Sequence, residues 1–244
     1  MKNSTNAMDE PQLIDWLLEG DVSIQYQVHR DLLATEKPEL QDRIATEGWG
    51  AQILSFRKKE GHWGDRFYQP KWISTHYTLL DLKHLAISQN NNAIRQSISQ
   101  VIQNLKGSDG GISPFGVEKK CDVCVNGMFL NYASYFKTNE DDLKSIVDFL
   151  LTEHMNDGGF NCNSNWHGAN HSSVHTTISV VEGILEYANN GYTYRLKELQ
   201  KAEEQSRTFL LEHKLFQSHR TGKIIHKNLL MLSYPSRWYY DILR

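Results

Sequence analysis

The chain has 244 residues, a formal charge of −3 and 39% apolar residues, and its 11% of aromatics includes six Trp and eleven Tyr. That balance argues against nucleic acid or an anionic membrane as a partner, and no stretch reaches the ~18 consecutive apolar residues of a membrane span. Cys121, Cys124 and Cys162 are too few and too clustered for a secreted disulfide framework, so a reduced, cytoplasmic setting is expected.

In chain order, Met1 to Glu10 reads as a disordered lead-in without signal-peptide character, and residues 11–244 read as a single domain. Leu13 to Leu18 and Ile24 to Leu33 predict an N-terminal helical piece, and Leu40 to Phe56 an outer helix. Beyond this point the chain repeats itself with a step of about fifty residues. Amphipathic helices are predicted around Ile94–Leu105, Leu143–Leu150 and Leu196–Leu210, from apolar residues at helical spacing. The first two end in Lys106-Gly-Ser-Asp-Gly-Gly111 and His154-Met-Asn-Asp-Gly-Gly159, where glycine supplies the positive φ that reverses the chain. Lys59-Glu-Gly-His-Trp-Gly64 occupies the corresponding place earlier, and Gln217-Ser-His-Arg-Thr-Gly222 does so less regularly later.

A more apolar helix follows each turn. Segments 72–80, 122–130, 173–181 and 224–232, aligned with the first offset by one residue, place Thr75, Cys124, His175 and His226 at one equivalent position. Met128 to Phe136 and Thr176 to Val181 carry no charge, as expected of helices buried on both sides. Strand signals are poor throughout. The fold expected is all-α, with about four to five helical hairpins in two layers, amphipathic helices outside and apolar ones inside. An array of this size is expected to be open or cropped, or closed with a partner subunit.

The Asp-Gly-Gly-aromatic turns followed by apolar inner helices resemble the prenyltransferase and squalene-cyclase repeat family, the α/α toroid, over roughly Gly61 to Arg244. Segments such as Ser172-Ser-Val-His-Thr-Thr177 and Ser233-Tyr-Pro-Ser-Arg-Trp238 are similar to bacterial squalene-cyclase-like proteins of unassigned function. The resemblance implies a ring of hairpins around an apolar cavity that takes an isoprenoid-type molecule. In protein prenyltransferase β subunits, an Asp-x-Cys pair and a His one repeat later hold a catalytic Zn2+. Asp122-Val-Cys124 and His175 match that pattern, and Lys119 falls where the family places a basic residue toward the diphosphate. Val125 and Gly116 depart from the family's Tyr and Arg. The cyclase branch requires an Asp-x-Asp-Asp motif. Here Cys124 replaces its proton-donating Asp, and a thiol of pKa about 8.5 is a poor acid toward an alkene.

The residues themselves allow the same zinc chemistry. Thiolate, imidazole and carboxylate are zinc's usual ligands, and three of them leave a fourth position open for substrate. A Cys121-x-x-Cys124 pair joined by Cys162 or His171 is a rival arrangement, and Asp122 as a helix cap with Cys124 and His175 as core residues is the structural one. Trp72, Tyr77 and Trp166, in or beside the loops that rim the inner helices, His76 and His226, at or next to the equivalent position of their repeats, and Lys119, which the resemblance places toward a diphosphate, are the expected substrate contacts. Three functions follow in order: a zinc-bearing prenyltransferase-like enzyme, a metal-free terpenoid-cyclase-like or lipid-binding protein, and a non-catalytic scaffold.

Overall fold

A computed structural model describes residues 10–116, 120–234 and 239–244, apart from the side chains of Asn165 and Trp166. The described residues are all-helical, with two isolated β-bridges, Lys106 to Ile112 and Gln217 to Ile224. Residues 1–9 of the expected lead-in lie outside the description, and its last residue, Glu10, already opens helix α1 (Glu10–Leu18).

The N-terminal part is more broken than expected. Helix α2 (Val22–Gln27) passes into a π-helical turn at Val28–Leu32. The expected outer helix over 40–56 is two short ones, α3 (Pro38–Arg43) and α4 (Gly48–Ser55). Gly48, at φ +59, breaks them apart and lies against Asp21, whose carboxylate accepts the Trp49 amide at 2.8 Å.

The repeat is carried by three hairpins that follow. Helix α5 (Thr75–His84) turns into α6 (Asn92–Leu105), α7 (Val123–Tyr135) into α8 (Glu140–Thr152), and α10 (Val174–Asn189) into α11 (Leu196–Glu212). A single helical turn, α9 (Ser164–His167), precedes α10. Helices α6, α8 and α11 present one apolar stripe inward, whereas Val123 and Val125 to Ser134 of α7 are buried all round.

Each of these hairpins enters through the same turn. The amides of Lys58, Gly107 and Met155 donate to the carbonyls of His62, Gly111 and Gly159 at 2.8, 2.8 and 2.9 Å. Gly61, Gly110 and Gly158 adopt φ of +91, +92 and +91, a conformation that glycine reaches without a Cβ penalty. An outer-helix serine then seals each turn: Ser97, Ser145 and Ser206 donate to the carbonyls of Gly61, Gly110 and Gly158 at 2.6, 2.9 and 2.9 Å.

The next residues fix the true register of the inner helices. Thr75 accepts the Trp63 amide at 3.0 Å and donates to its carbonyl at 3.1 Å. Asn126 clamps Ile112 in the same way, at 2.6 and 3.0 Å, and Thr177 clamps Phe160, at 3.0 and 3.3 Å. Thr75, Asn126 and Thr177 are therefore equivalent. Cys124 and His175 remain equivalent to each other, each the second residue of its helix, but their counterpart in the first repeat is Ile73 and not Thr75.

The expected fourth inner helix is absent from the described residues. Residues 224–232 hold a 3₁₀ turn at Lys227–Leu230, and the Gly222 turn before it (φ +64) closes through the Gly222 amide on the Ser218 carbonyl at 2.8 Å.

Inner helices α7 and α10 meet backbone to backbone. A Cβ on Gly127 would lie 2.7 Å from the Ser179 carbonyl, and one on Gly183 would strike the Gly127 carbonyl oxygen.

Candidate functional site

Capping geometry sets the mouth of α7. Asp122 is its N-cap residue, and the Asp122 carbonyl accepts from the Asn126 side chain at 3.0 Å. Cys124, one residue into the helix, donates its amide to the sulfur of Cys162 at 3.1 Å, and the two thiols hydrogen-bond to each other. Thr176 adds a hydroxyl donor to the same sulfur at 3.5 Å. The Cys124 thiol lowers the Cys162 pKa, helped by Thr176 and the Cys124 amide, whereas that same bond, burial and the Asp122 carboxylate raise Cys124. Cys162 is the more acidic of the pair. Cys121 stands apart: its amide donates to Asp109 at 2.8 Å, and burial, then Asp109, pushes its thiol well up.

At the mouth of α10, His175 accepts the backbone amide of Tyr240 on Nδ1 at 2.8 Å and lies edge-on to Tyr239 and Tyr240. Burial, then nearby Arg244 and His226, lowers its pKa. Among the described residues, no three His, Cys, Asp or Glu side chains converge as one metal ion requires. With Cys124 engaged by Cys162 and the Nδ1 lone pair of His175 taken by Tyr240, the placement does not fit a Zn2+ shared by Asp122, Cys124 and His175. Cys121 is engaged by Asp109 and Cys124 by Cys162.

The expected substrate contacts separate into three environments. His76 and Tyr77 are fully buried in an aromatic cluster, with His76 edge-on to Phe67, Tyr77 and Tyr132 and 3.2 Å from the Tyr132 hydroxyl. Burial depresses the His76 pKa to about 3, so its imidazole is neutral.

Trp72 lines an apolar groove of about 490 Å³ between α4 and α5, together with Ile53, Phe56, Trp63 and Ile73. Its indole stacks on Tyr239 (5.8 Å, 28°) and packs against Tyr77 (4.9 Å). Trp72 holds φ +78, a costly conformation for a bulky residue. Phe56 and Ile73 are 66% and 64% exposed, so the groove is open at its rim. Its polar side chains are Thr78 and Asp81.

His226 falls in the third environment. It caps the 3₁₀ turn through Nδ1, which accepts the Asn228 amide at 3.2 Å, and it shares with His175 a separate cleft of about 1030 Å³. Lys119 and the side chain of Trp166 lie outside the described residues.

Sequence reasoning missed the Cys124–Cys162 pair and the histidines at the end of α11, because both arise from loops folded back over α-helix ends. No family model matches the chain, and neither the curated proteins nor the solved structures contain a match to it. No helix among the described residues is long and apolar enough to cross a membrane.

Proposed function

We propose that the hairpins form part of an α/α toroid and that the protein binds an elongated apolar molecule of the isoprenoid class, without zinc, in the groove walled by Trp63 and Trp72. One observation carries the reading: Trp72 is held in a costly backbone conformation, with its indole backed by Tyr77 and Tyr239, on the wall of an open aromatic groove. Ligand sites have this form, mostly apolar and aromatic with a few polar groups, and commonly span roughly 300–1,000 Å³. The repeated Gly turns and clamps are consistent with the toroid architecture that the sequence resembles.

Energetics make the affinity modest. A fifteen-carbon isoprenoid fully buried gains about 12 kcal/mol gross, and lost translational and rotational freedom costs at least about 4, leaving a dissociation constant on the order of micromolar. Displacement of a fluorescent farnesol analogue by farnesol tests the reading. Saturable binding that a chelator leaves unchanged, and that Trp72→Ala weakens at least about tenfold, or 1.4 kcal/mol, supports it. Binding abolished by the chelator returns the site to metal chemistry; no saturable binding removes the isoprenoid reading.

A further inference from the structure

The larger cleft, bounded by the mouth of α10, the end of α11 and residues 218–229, gathers His171, His175, His213, His219 and His226. Two of these converge. Nε2 of His213 lies 3.0 Å from Nδ1 of His219. His213 is oriented from behind, since its Nδ1 bonds the Phe209 carbonyl at 2.7 Å. A carbonyl only accepts, so Nδ1 of His213 carries a proton and its Nε2 accepts a hydrogen bond from the Nδ1–H of His219.

We propose that His213 and His219 form a binding site for a borderline divalent transition ion such as Zn2+, Ni2+ or Cu2+. Their spacing fits once His219 shifts its proton to Nε2 and an ion takes the place of the shared hydrogen: metal–nitrogen bonds of about 2.0–2.1 Å meeting at roughly 90–110° place two nitrogens about 2.9–3.4 Å apart. The backing carbonyl is the usual outer partner that fixes a ligating imidazole's tautomer and aim. His213 caps the C-terminus of α11, a helix of 17 residues, where the helix dipole favours a cation. Imidazole donors select these ions over Mg2+ or Ca2+, which prefer oxygen. Among the described residues no third side chain joins the pair, so the remaining coordination positions face the cleft and belong to water or an added ligand. The site is independent of the aromatic groove.

Calorimetric titration of the untagged full chain with Zn2+ and with Ni2+ tests the proposal. One ion bound per chain is expected, with His213→Ala and His219→Ala each weakening affinity at least about tenfold, His175→Ala changing it little, and Mg2+ giving no heat. His219 is exposed, so its removal leaves the fold intact, and a thermal melt of each variant verifies this. Parental affinity and stoichiometry in the His213→Ala/His219→Ala double variant would overturn the assignment. So would an equal loss in His175→Ala, or no saturable binding by the parent chain.

Discussion

Gly183 on α10 packs directly onto the carbonyl oxygen of Gly127 on α7, with no room for a side chain between the two inner helices. An α-helix ordinarily gains about 1 kcal/mol when an interior Gly becomes Ala. Here the added methyl meets backbone, which cannot swing away, and overpacking costs typically 1–3 kcal/mol. Gly183→Ala is expected to destabilise the chain by about 1 kcal/mol in urea unfolding, the cost of overpacking less the gain in helix propensity. A neutral or stabilising result would mean that the helices stand further apart.

The three clamps are equivalent in geometry and should be equivalent in cost. Asn126→Ala strips partners from the buried amide and carbonyl of Ile112, and Thr75→Val and Thr177→Val do the same at Trp63 and Phe160. Each change is expected to cost roughly 2–4 kcal/mol, since an orphaned buried polar group costs about 1–3 kcal/mol. Denaturant midpoints check this, and an effect confined to one repeat would contradict the equivalence.

Much of the architecture is readable in the sequence, and the clamps explain where reading fails. The turns are visible because only glycine takes φ near +90 cheaply, so Gly61, Gly110 and Gly158 mark them. The clamp is hidden because threonine and asparagine perform it interchangeably: each offers both a donor and an acceptor at the right reach. With no shared residue type to anchor it, the first segment slips by two positions and Thr75 is aligned with Cys124. The site suffers more. Asp122, Cys124 and His175 do stand at inner-helix mouths, but Cys162 returns from a loop to take the Cys124 amide, and Tyr240 arrives from the far end of the chain to take His175. Neither partner has a local sequence signal. Similarly, residues 224–232 carry apolar spacing, yet form only one 3₁₀ turn.

Acid should unfold the chain early. Burial holds His76 near pKa 3 and His84 near 4 in the folded state, against about 6.5 when unfolded. Between these values the unfolded chain binds more protons, so stability falls as pH drops. Loss is expected to begin near pH 6.5 and deepen toward pH 4, by up to about 1.4 kcal/mol per pH unit for each imidazole. His76→Phe should flatten this slope by about one proton. An unchanged slope would show that His76 is protonated in the folded protein.

Three thiols outside any disulfide, in different surroundings, should react at different rates. Cys162 accepts hydrogen bonds from the Cys124 thiol, Thr176 and the Cys124 amide, so it is expected to alkylate first at neutral pH. Cys121, fully buried beside Asp109, is expected to react last. Timed iodoacetamide labelling with peptide mass spectrometry reads the order, and prior labelling at Cys121 would contradict it.

The aromatic groove is tested most directly by a benzophenone-bearing farnesyl probe, photolysed on the intact chain and mapped by peptide sequencing. Label on residues 53–73 and 239, competed away by unlabelled farnesol, is the outcome expected of a ligand lying against Trp63 and Trp72. Uncompeted label scattered over the surface, or label concentrated on the histidine-lined cleft, would contradict it.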